Sequence, residues 1–469
     1  MQWVLKEVAR LVGGDITAGD PAQKCNDPVC DSRRVIAGSI FVPLHGEKVD
    51  GHQFIADAKR HGAVASFMRK GWPGDLPDGL VIIQVDEPLE ALQIWAHIYL
   101  QTLSARIVGV TGSTGKTTTK EMVAAVLSAG YAVGKNRGNL NTEIGLPLTV
   151  LQAEADREVL VLEMGMRGQG EILQLTAIAQ PEIAVITNIG ETHIELLGSI
   201  ENIARAKGEI LEGMLPQGIA VLNGDDEMVV NQAGRAPGRV IWFGRQCQDR
   251  GECVFADQVE SHGDSLQYLA HWQGASQMVA IPWPGQHNLY NSLAAITVGL
   301  ALEMSLEQCV RGLATYQPAD SRLRVVPTAC GAMMIDDTYN ASPVSMRAAL
   351  QVLKEYPEGQ RRFAVLGDML ELGHCGPVAH QELGQLVAVL GLDGLFTVGP
   401  LASLIAAVAR QQRSPVPITE TFVDNRSLVL RLEQVLRPGD LVLVKGSRGM
   451  RMEEIVERLT GEEGTGGDH

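Results

Sequence analysis

Between residues 106 and 244 the chain alternates short apolar runs with segments of helical periodicity. The runs are "RIVGV", "EVLVLEM", "EIAVITNI", "GIAVLN" and "RVIWFG". Nearly continuous apolar stretches of that length suit strands buried on both faces. Their alternation with helices predicts a parallel sheet covered on both sides. Residues 252–282 change to shorter alternating runs, "CVFADQV", "DSLQYLAHW" and "QMVAIPW", which predict a small antiparallel insertion or flank. From about residue 319 a second βα series begins with "AMMIDDTY", "RRFAVLGDM", "GLFTVG" and "DLVLVKGS", a second doubly wound domain. Before all of this, a segment to about residue 86 mixes short elements with turn signals such as "PGDLPDG" and ends in the strand "GLVIIQV". The expectation is an α/β chain of three domains: a small α/β domain at 1–86, a central parallel-sheet domain at 87–318 and a Rossmann-like domain at 319–469. The tail "GEEGTGGDH" is expected to be disordered.

Composition narrows the function classes. The 469 residues are 45% hydrophobic and 20% charged, the balance of an ordinary globular protein, with a net charge of −16. That charge argues against a nucleic-acid binder, which needs a basic stripe to offset phosphates. Small anions stay open, because helix N-termini, single lysines and metal ions bind them locally. Seven cysteines without a C-x-x-C pair read as reduced thiols of a cytoplasmic protein, and their spacing argues against a zinc site. The opening "MQWVLKEVARLVGG" is punctuated by charges and predicts an amphipathic helix rather than a signal peptide. No uncharged apolar run is long enough to span a membrane, so no membrane insertion is expected.

The strongest chemistry lies in "IVGVTGSTGKTTTK" at residues 107–120. Gly112, Ser113, Thr114, Gly115, Lys116, Thr117 and Thr118 fall between an apolar strand and a helix. In that setting backbone N–H groups approach phosphate oxygens, Lys116 neutralises the terminal phosphates and Thr117 can ligate Mg²⁺. ATP is therefore the expected ligand, although Val110 replaces the usual first glycine of the motif. A phosphate loop needs an acid for its metal, and Glu163 ends the apolar strand "EVLVLEM", where open α/β sheets place ligands. His193 lies just past the next strand, and Ser199 can cap a helix that carries Lys207.

With these residues in place the sequence resembles the Mur ligase family, which builds the peptide of bacterial cell-wall precursors. The resemblance rests on "TGSTGKTTT", Glu163, "TNIGETHIELLGSIENIARAKGEI", "GQHNLYNSLAA", "SRLRV" and "IDDTYNASP", with "DSRRVIAGSIFVPLHGEKVDGHQFI" at the front. It covers nearly the whole chain. Family loops of this type lack the first glycine, which accounts for Val110. Within the family, "GNLNTEIGLPLTVL", "LGDMLELG" and "VLVKGSRGMRMEEIV" are most similar to the member that adds D-alanyl-D-alanine to UDP-N-acetylmuramoyl-tripeptide. The "DNPR" motif of the tripeptide-forming member is absent.

The resemblance implies roles residue by residue. Lys207 matches a lysine carbamylated by CO₂, which with Glu163 and His193 would help bind a second Mg²⁺. Asn288 and Asn291 would serve the adenine and domain packing, and Arg322 and Asp337 would close over the phosphates and ribose. Ser32 and Arg33 would meet the UDP end of the sugar nucleotide, and Asn141 and Thr142 its diphosphate or sugar. Lys445, Ser447 and Arg448 are candidates for the incoming dipeptide or the peptide end of the substrate. A monomeric, cytoplasmic ligase is the implied protein. Two alternatives stay open at this point: a ligase adding a single amino acid or a folylpolyglutamate-type ligase, and a nucleotide-driven switch without ligase activity.

Overall fold

The computed structural model describes residues 2–46, 49–262, 264–317, 321–413 and 415–461. The tail expected to be disordered and the boundary placed at 318/319 lie outside those residues, the tail's first residue apart. Three main sheets follow one another along the chain. A five-stranded sheet is built from strands between Asp15 and Val85, a nine-stranded sheet between Arg106 and Ile281, and a six-stranded sheet between Arg324 and Lys445.

The central sheet carries the site. Its inner strands Arg106–Thr111, Val159–Glu163, Ile183–Ile186 and Ile219–Asn223 pair in parallel, and Val159–Glu163 is buried throughout. The helices Lys116–Leu127, Gln286–Ala301 and Leu306–Leu313 share an apolar core on one face of the sheet, built on Val108, Val110, Val161 and Val185. Glu171–Ala179 and Ile200–Glu212 join a separate core that includes Leu160, Leu162 and Ile186. Successive residues of a strand point to opposite faces, so a strand covered on both sides needs apolar residues at every position.

Strand order explains where a ligand fits. The chain leaves Arg106–Thr111 through the helix Lys116–Leu127 towards one edge, and later returns past it to Ile183–Ile186 on the other side. This reversal leaves a crevice at the carboxyl end of Arg106–Thr111. The antiparallel run near 252–282 forms as expected, and it extends the same sheet. Cys253–Ser261 pairs in parallel with Arg239–Gly244, then antiparallel with Leu266–Trp272, which pairs with Ala275–Ile281.

Several expectations need correction. The opening segment is not one helix: Trp3–Val4 pairs with Lys24–Cys25, and the helix covers Leu5–Leu11. The cysteines are not all free thiols, because Cys247 and Cys253 form a disulfide. A six-residue separation escapes a search for C-x-x-C, and the tight turn Gln248–Arg250 folds the chain back so that the two meet. Among the described residues no helix is long and apolar enough to cross a membrane.

Candidate active site

The phosphate loop is shaped by two glycines that nothing else can replace. Gly112 has φ +151, and a Cβ there would sit 1.9 Å from Thr187 Oγ1. Gly115, at φ +77, packs so closely on Asn291 that a Cβ would lie 2.5 Å from its Oδ1. Both sites require the left-handed backbone and the missing side chain. The loop is braced by "TNIG" at the end of the neighbouring strand. Thr114 N and Oγ1 donate to Asn188 Oδ1 at 3.0 and 3.1 Å, while Thr187 Oγ1 donates to Thr114 O at 2.7 Å. Ser113 Oγ meets Gly190 O at 3.1 Å and accepts from Gly190 N at 2.8 Å.

Lys116 opens the helix and folds its Nζ back onto Gly112 O at 2.9 Å, inside the cradle. Burial pushes its pKa down; Glu163 opposes that shift and Arg322 adds to it. Thr117 Oγ1 donates to Glu163 Oε2 at 2.7 Å and accepts from Arg322 Nη2 at 3.0 Å. Residues 205 positions apart thus meet on one hydroxyl. Arg322 is further held by the ring of Tyr339, whose centroid lies 3.9 Å from the guanidinium carbon. Thr118 is half-buried on the first helical turn.

Glu163 is held from every side. Asn141 Nδ2 donates to its Oε1 at 2.7 Å, so Asn141 supports the acid. Asn136, fully buried, accepts from Glu163 N at 2.9 Å and donates to Glu163 O at 3.1 Å and to Leu140 O at 2.8 Å. Lys120, also fully buried, donates to Asn136 O at 2.7 Å. Sequence reasoning missed Asn136, Lys120 and the bracing role of Asn188.

Lys207 lies on the helix Ile200–Glu212, which Ser199 caps by accepting from Asn202 N at 3.3 Å. It is 1% exposed and, among the described residues, no carboxylate pairs with it. Burial first, and the charge of Lys116 second, push its pKa well below the usual lysine value. His193, at φ +68, contacts the C-terminal domain: its Nδ1 lies 2.8 Å from Glu371 Oε2. No bond joins it to Glu163 or Lys207. Among the described residues no group of three or more His, Cys, Asp or Glu side chains is placed to hold a metal ion.

The donor set nevertheless suits Mg²⁺ beside the loop, where the Thr117 hydroxyl and Glu163 carboxylate touch and both are hard oxygen ligands. A second ion near Lys207 fits only if the lysine carries a carboxylate, since an ammonium would repel a cation.

The remaining candidates separate. Asn291 accepts from Thr119 Oγ1 at 3.1 Å and packs on Gly115, while Asn288 Nδ2 bonds Pro284 O at 2.8 Å. Asp337 and Lys445, expected at different ligands, form a 2.6 Å ion pair, and Lys445 also donates to Asn340 O at 2.8 Å. His287 sits beside this pair: burial pushes its pKa down, Asp337 opposes and Lys445 adds to the shift. Ser447 is buried and accepts from Leu370 N at 2.9 Å, whereas Arg448 is exposed and pairs with Glu453 at 3.4 Å. Ser32 starts a short turn in the first domain, where exposed Arg33 pairs with Asp31 at 2.7 Å. Thr142 accepts from Gly145 N at 3.4 Å at the start of the next helix. None of these last groups bonds to the phosphate loop.

Comparison with known proteins agrees along the length of the chain. Models described as "Mur ligase family, catalytic domain", "Mur ligase middle domain" and "Mur ligase, glutamate ligase domain" match residues 29–99, 110–299 and 321–448. The UDP-N-acetylmuramoyl-tripeptide--D-alanyl-D-alanine ligase of Bacillus subtilis (strain 168) is 37% identical over 458 residues, 97% of this chain and 98% of that protein. This chain belongs to the Mur ligase family. Among solved structures of the family, a crystal structure of MurF from Acinetobacter baumannii superposes with TM-score 0.88 at 31% identity, covering 98% of this chain and 99% of that one. The MurF ligase of Thermotoga maritima in complex with ADP gives TM-score 0.81 at 31% identity, over 93% of this chain and 97% of that one. This Mur ligase thus shares its three-sheet architecture with an ADP-binding relative.

Proposed function

We propose that this Mur ligase joins D-alanyl-D-alanine to UDP-N-acetylmuramoyl-tripeptide at the expense of ATP, through an acyl phosphate. One observation carries the reading: a braced phosphate loop bonded to a buried strand-end glutamate lies in a chain matched end to end by a ligase of that name.

The chemistry follows from leaving groups. A carboxylate acylates poorly because oxide would have to depart. Attack of the tripeptide carboxylate on the γ-phosphorus of ATP breaks the bond to ADP and makes phosphate the leaving group. Two anions must meet for this, and the repulsion is the barrier to be lowered. Lys116 releases Gly112 O and turns to the phosphates, the loop N–H groups donate to their oxygens, and Arg322 faces the same point from the third domain. Thr117 and Glu163 would hold Mg²⁺, which when bound offsets charge on the phosphate oxygens. The amine of the dipeptide then attacks the acyl carbon; the C–N bond forms, phosphate leaves, and the amine proton departs to a base.

Lys207 is assigned to carbamylation. Its neutral amine adds to CO₂ and loses one proton, leaving a carbamate whose oxygens could join Glu163 and His193 at a second cation. Burial without an anionic partner favours the neutral amine that this reaction requires. Arg33 and Ser32 are assigned to the UDP end, with Thr142 and Asn141 along the sugar nucleotide. Arg448 is assigned to the dipeptide, with Lys445 and Ser447 behind it, and Asp337 with Asn288 and Asn291 to the nucleoside. Domains at 1–86, 87–318 and 319–469, a monomer, a cytoplasmic location and rotation of the third domain on binding complete the proposal. Mass spectrometry of the products from UDP-N-acetylmuramoyl-tripeptide, ATP and D-alanyl-D-alanine tests it: the pentapeptide nucleotide is expected. Product only with single amino acids would redirect it to another member of the family, and ATP hydrolysis with no amide would contradict it.

A further inference from the structure

The loop "GDMLELG" at 367–373 follows a buried strand of the C-terminal domain, and it reaches across to the central domain. Glu371 holds a left-handed backbone, φ +63, and its carbonyl accepts from Glu195 N at 3.5 Å. Gly373 lies so close to Glu195 that a Cβ would stand 3.1 Å from its side chain. The result of this docking is a carboxylate 2.8 Å from His193 Nδ1, close but not aligned as a hydrogen bond, while no described residue bonds Nε2. His193 is itself in the left-handed region, φ +68, so backbone on both sides departs from its usual form at this one contact.

A non-glycine residue at positive φ is uncommon, and two facing each other across a domain boundary point to a constraint that packing alone does not explain. Imidazoles that ligate metals are usually oriented by a carboxylate on the other ring nitrogen. Here that carboxylate comes from a different domain. We infer that Glu371 is a positioning residue for His193, so that docking of the C-terminal loop sets the imidazole for cation binding and couples domain arrangement to the metal site. The inference rests on the assignment of His193 as a cation ligand made above. Its role is exerted through the ring that it faces.

The coupling is read without any peptide substrate, by Mn²⁺ titration of the full chain in the presence of ADP, followed by electron paramagnetic resonance. Glu371→Gln is expected to weaken the weaker Mn²⁺ site about 10-fold, the usual scale for losing an orienting partner, with Glu371→Asp recovering part of it. In a His193→Ala background the same Glu371→Gln change should have no further effect. If His193→Ala itself leaves Mn²⁺ binding unaltered, the metal assignment fails and the inference with it. If His193→Ala weakens binding but Glu371→Gln does not, or costs as much in both backgrounds, the inference alone is overturned. Glu371 is half-exposed on a loop, and an unchanged melting temperature for Glu371→Gln confirms that the fold is intact.

Discussion

The phosphate loop and the wall that faces it from the C-terminal domain are held by different kinds of bond. Around the loop, neutral side chains lock backbone to backbone within one sheet: Asn188 and Thr187 on Thr114, Asn136 on both main-chain atoms of Glu163. The facing wall is held by charge. Asp337 pairs with Lys445, the Glu371 carboxylate lies against the His193 imidazole, and Arg322 lies on Tyr339 before reaching Thr117. Short neutral bonds in a packed sheet fix geometry in advance, which is what a cradle for a transferring phosphoryl group needs. Charged groups on such a wall can exchange their partners for a charged ligand, which is what a closing wall needs. The difference separates a site that is already made from a surface that has still to be completed.

Removing a charge from the cradle should have the largest consequence. Lys116→Ala is expected to lower kcat by about 10³-fold with folding unaffected, because the lost group acts on charge that develops during transfer. Steady-state ATP-dependent amide formation checks it, and full activity would contradict the role of the loop. Next is Lys207→Ala, expected to lose about 10²-fold or more in activity, with partial return on adding a short-chain carboxylate such as acetate. Burial lowers the Lys207 pKa, so its neutral form survives to lower pH than an ordinary lysine's. Bicarbonate-dependent activity should therefore be present at higher pH and lost as pH falls through the folded-state value. The same depressed pKa means that unfolding takes up a proton. In CO₂-free buffer, stability should accordingly rise with pH from the folded value up to the unfolded one.

Smaller effects probe the supports. Asn136→Leu orphans the main-chain groups of Glu163 and should cost about 1–3 kcal/mol in chemical denaturation, with a raised Mg²⁺ requirement. A change confined to stability, with the Mg²⁺ requirement untouched, would show that Asn136 supports the fold and not the acid. On the facing wall, Tyr339→Leu removes the ring under Arg322 and should cost about 1 kcal/mol, read as a roughly 5-fold rise in KM for ATP. Tyr339→Phe should restore it. Equal behaviour of the two variants would remove the stacking interaction from the account.

The same contrast governs what the sequence makes legible. Strands covered on both faces are continuous in apolar character, so the inner strands of both doubly wound sheets stand out. Edge strands do not: Val133–Lys135 has three residues, and "ITETF" at Ile418–Phe422 is polar and half-exposed along one border. Glycines, lysine and threonine of the phosphate loop sit within a few positions of one another and declare a cradle. Glu163 is readable because strand-end position and metal demand coincide. Asn136 and Glu371 carry no such local mark, because their partners are 27 residues away or on another domain. Asp337 and Lys445 are each visible as site residues, yet their pairing across 108 positions depends on register in the parallel sheet, which periodicity does not specify.

The central claim is that one carboxylate is activated by phosphoryl transfer within the braced loop. It is tested most directly by labelling the terminal carboxylate of the tripeptide substrate with ¹⁸O and following the label into inorganic phosphate during a single turnover. The account predicts one labelled oxygen in phosphate for each amide formed. Amide formation with unlabelled phosphate would contradict it.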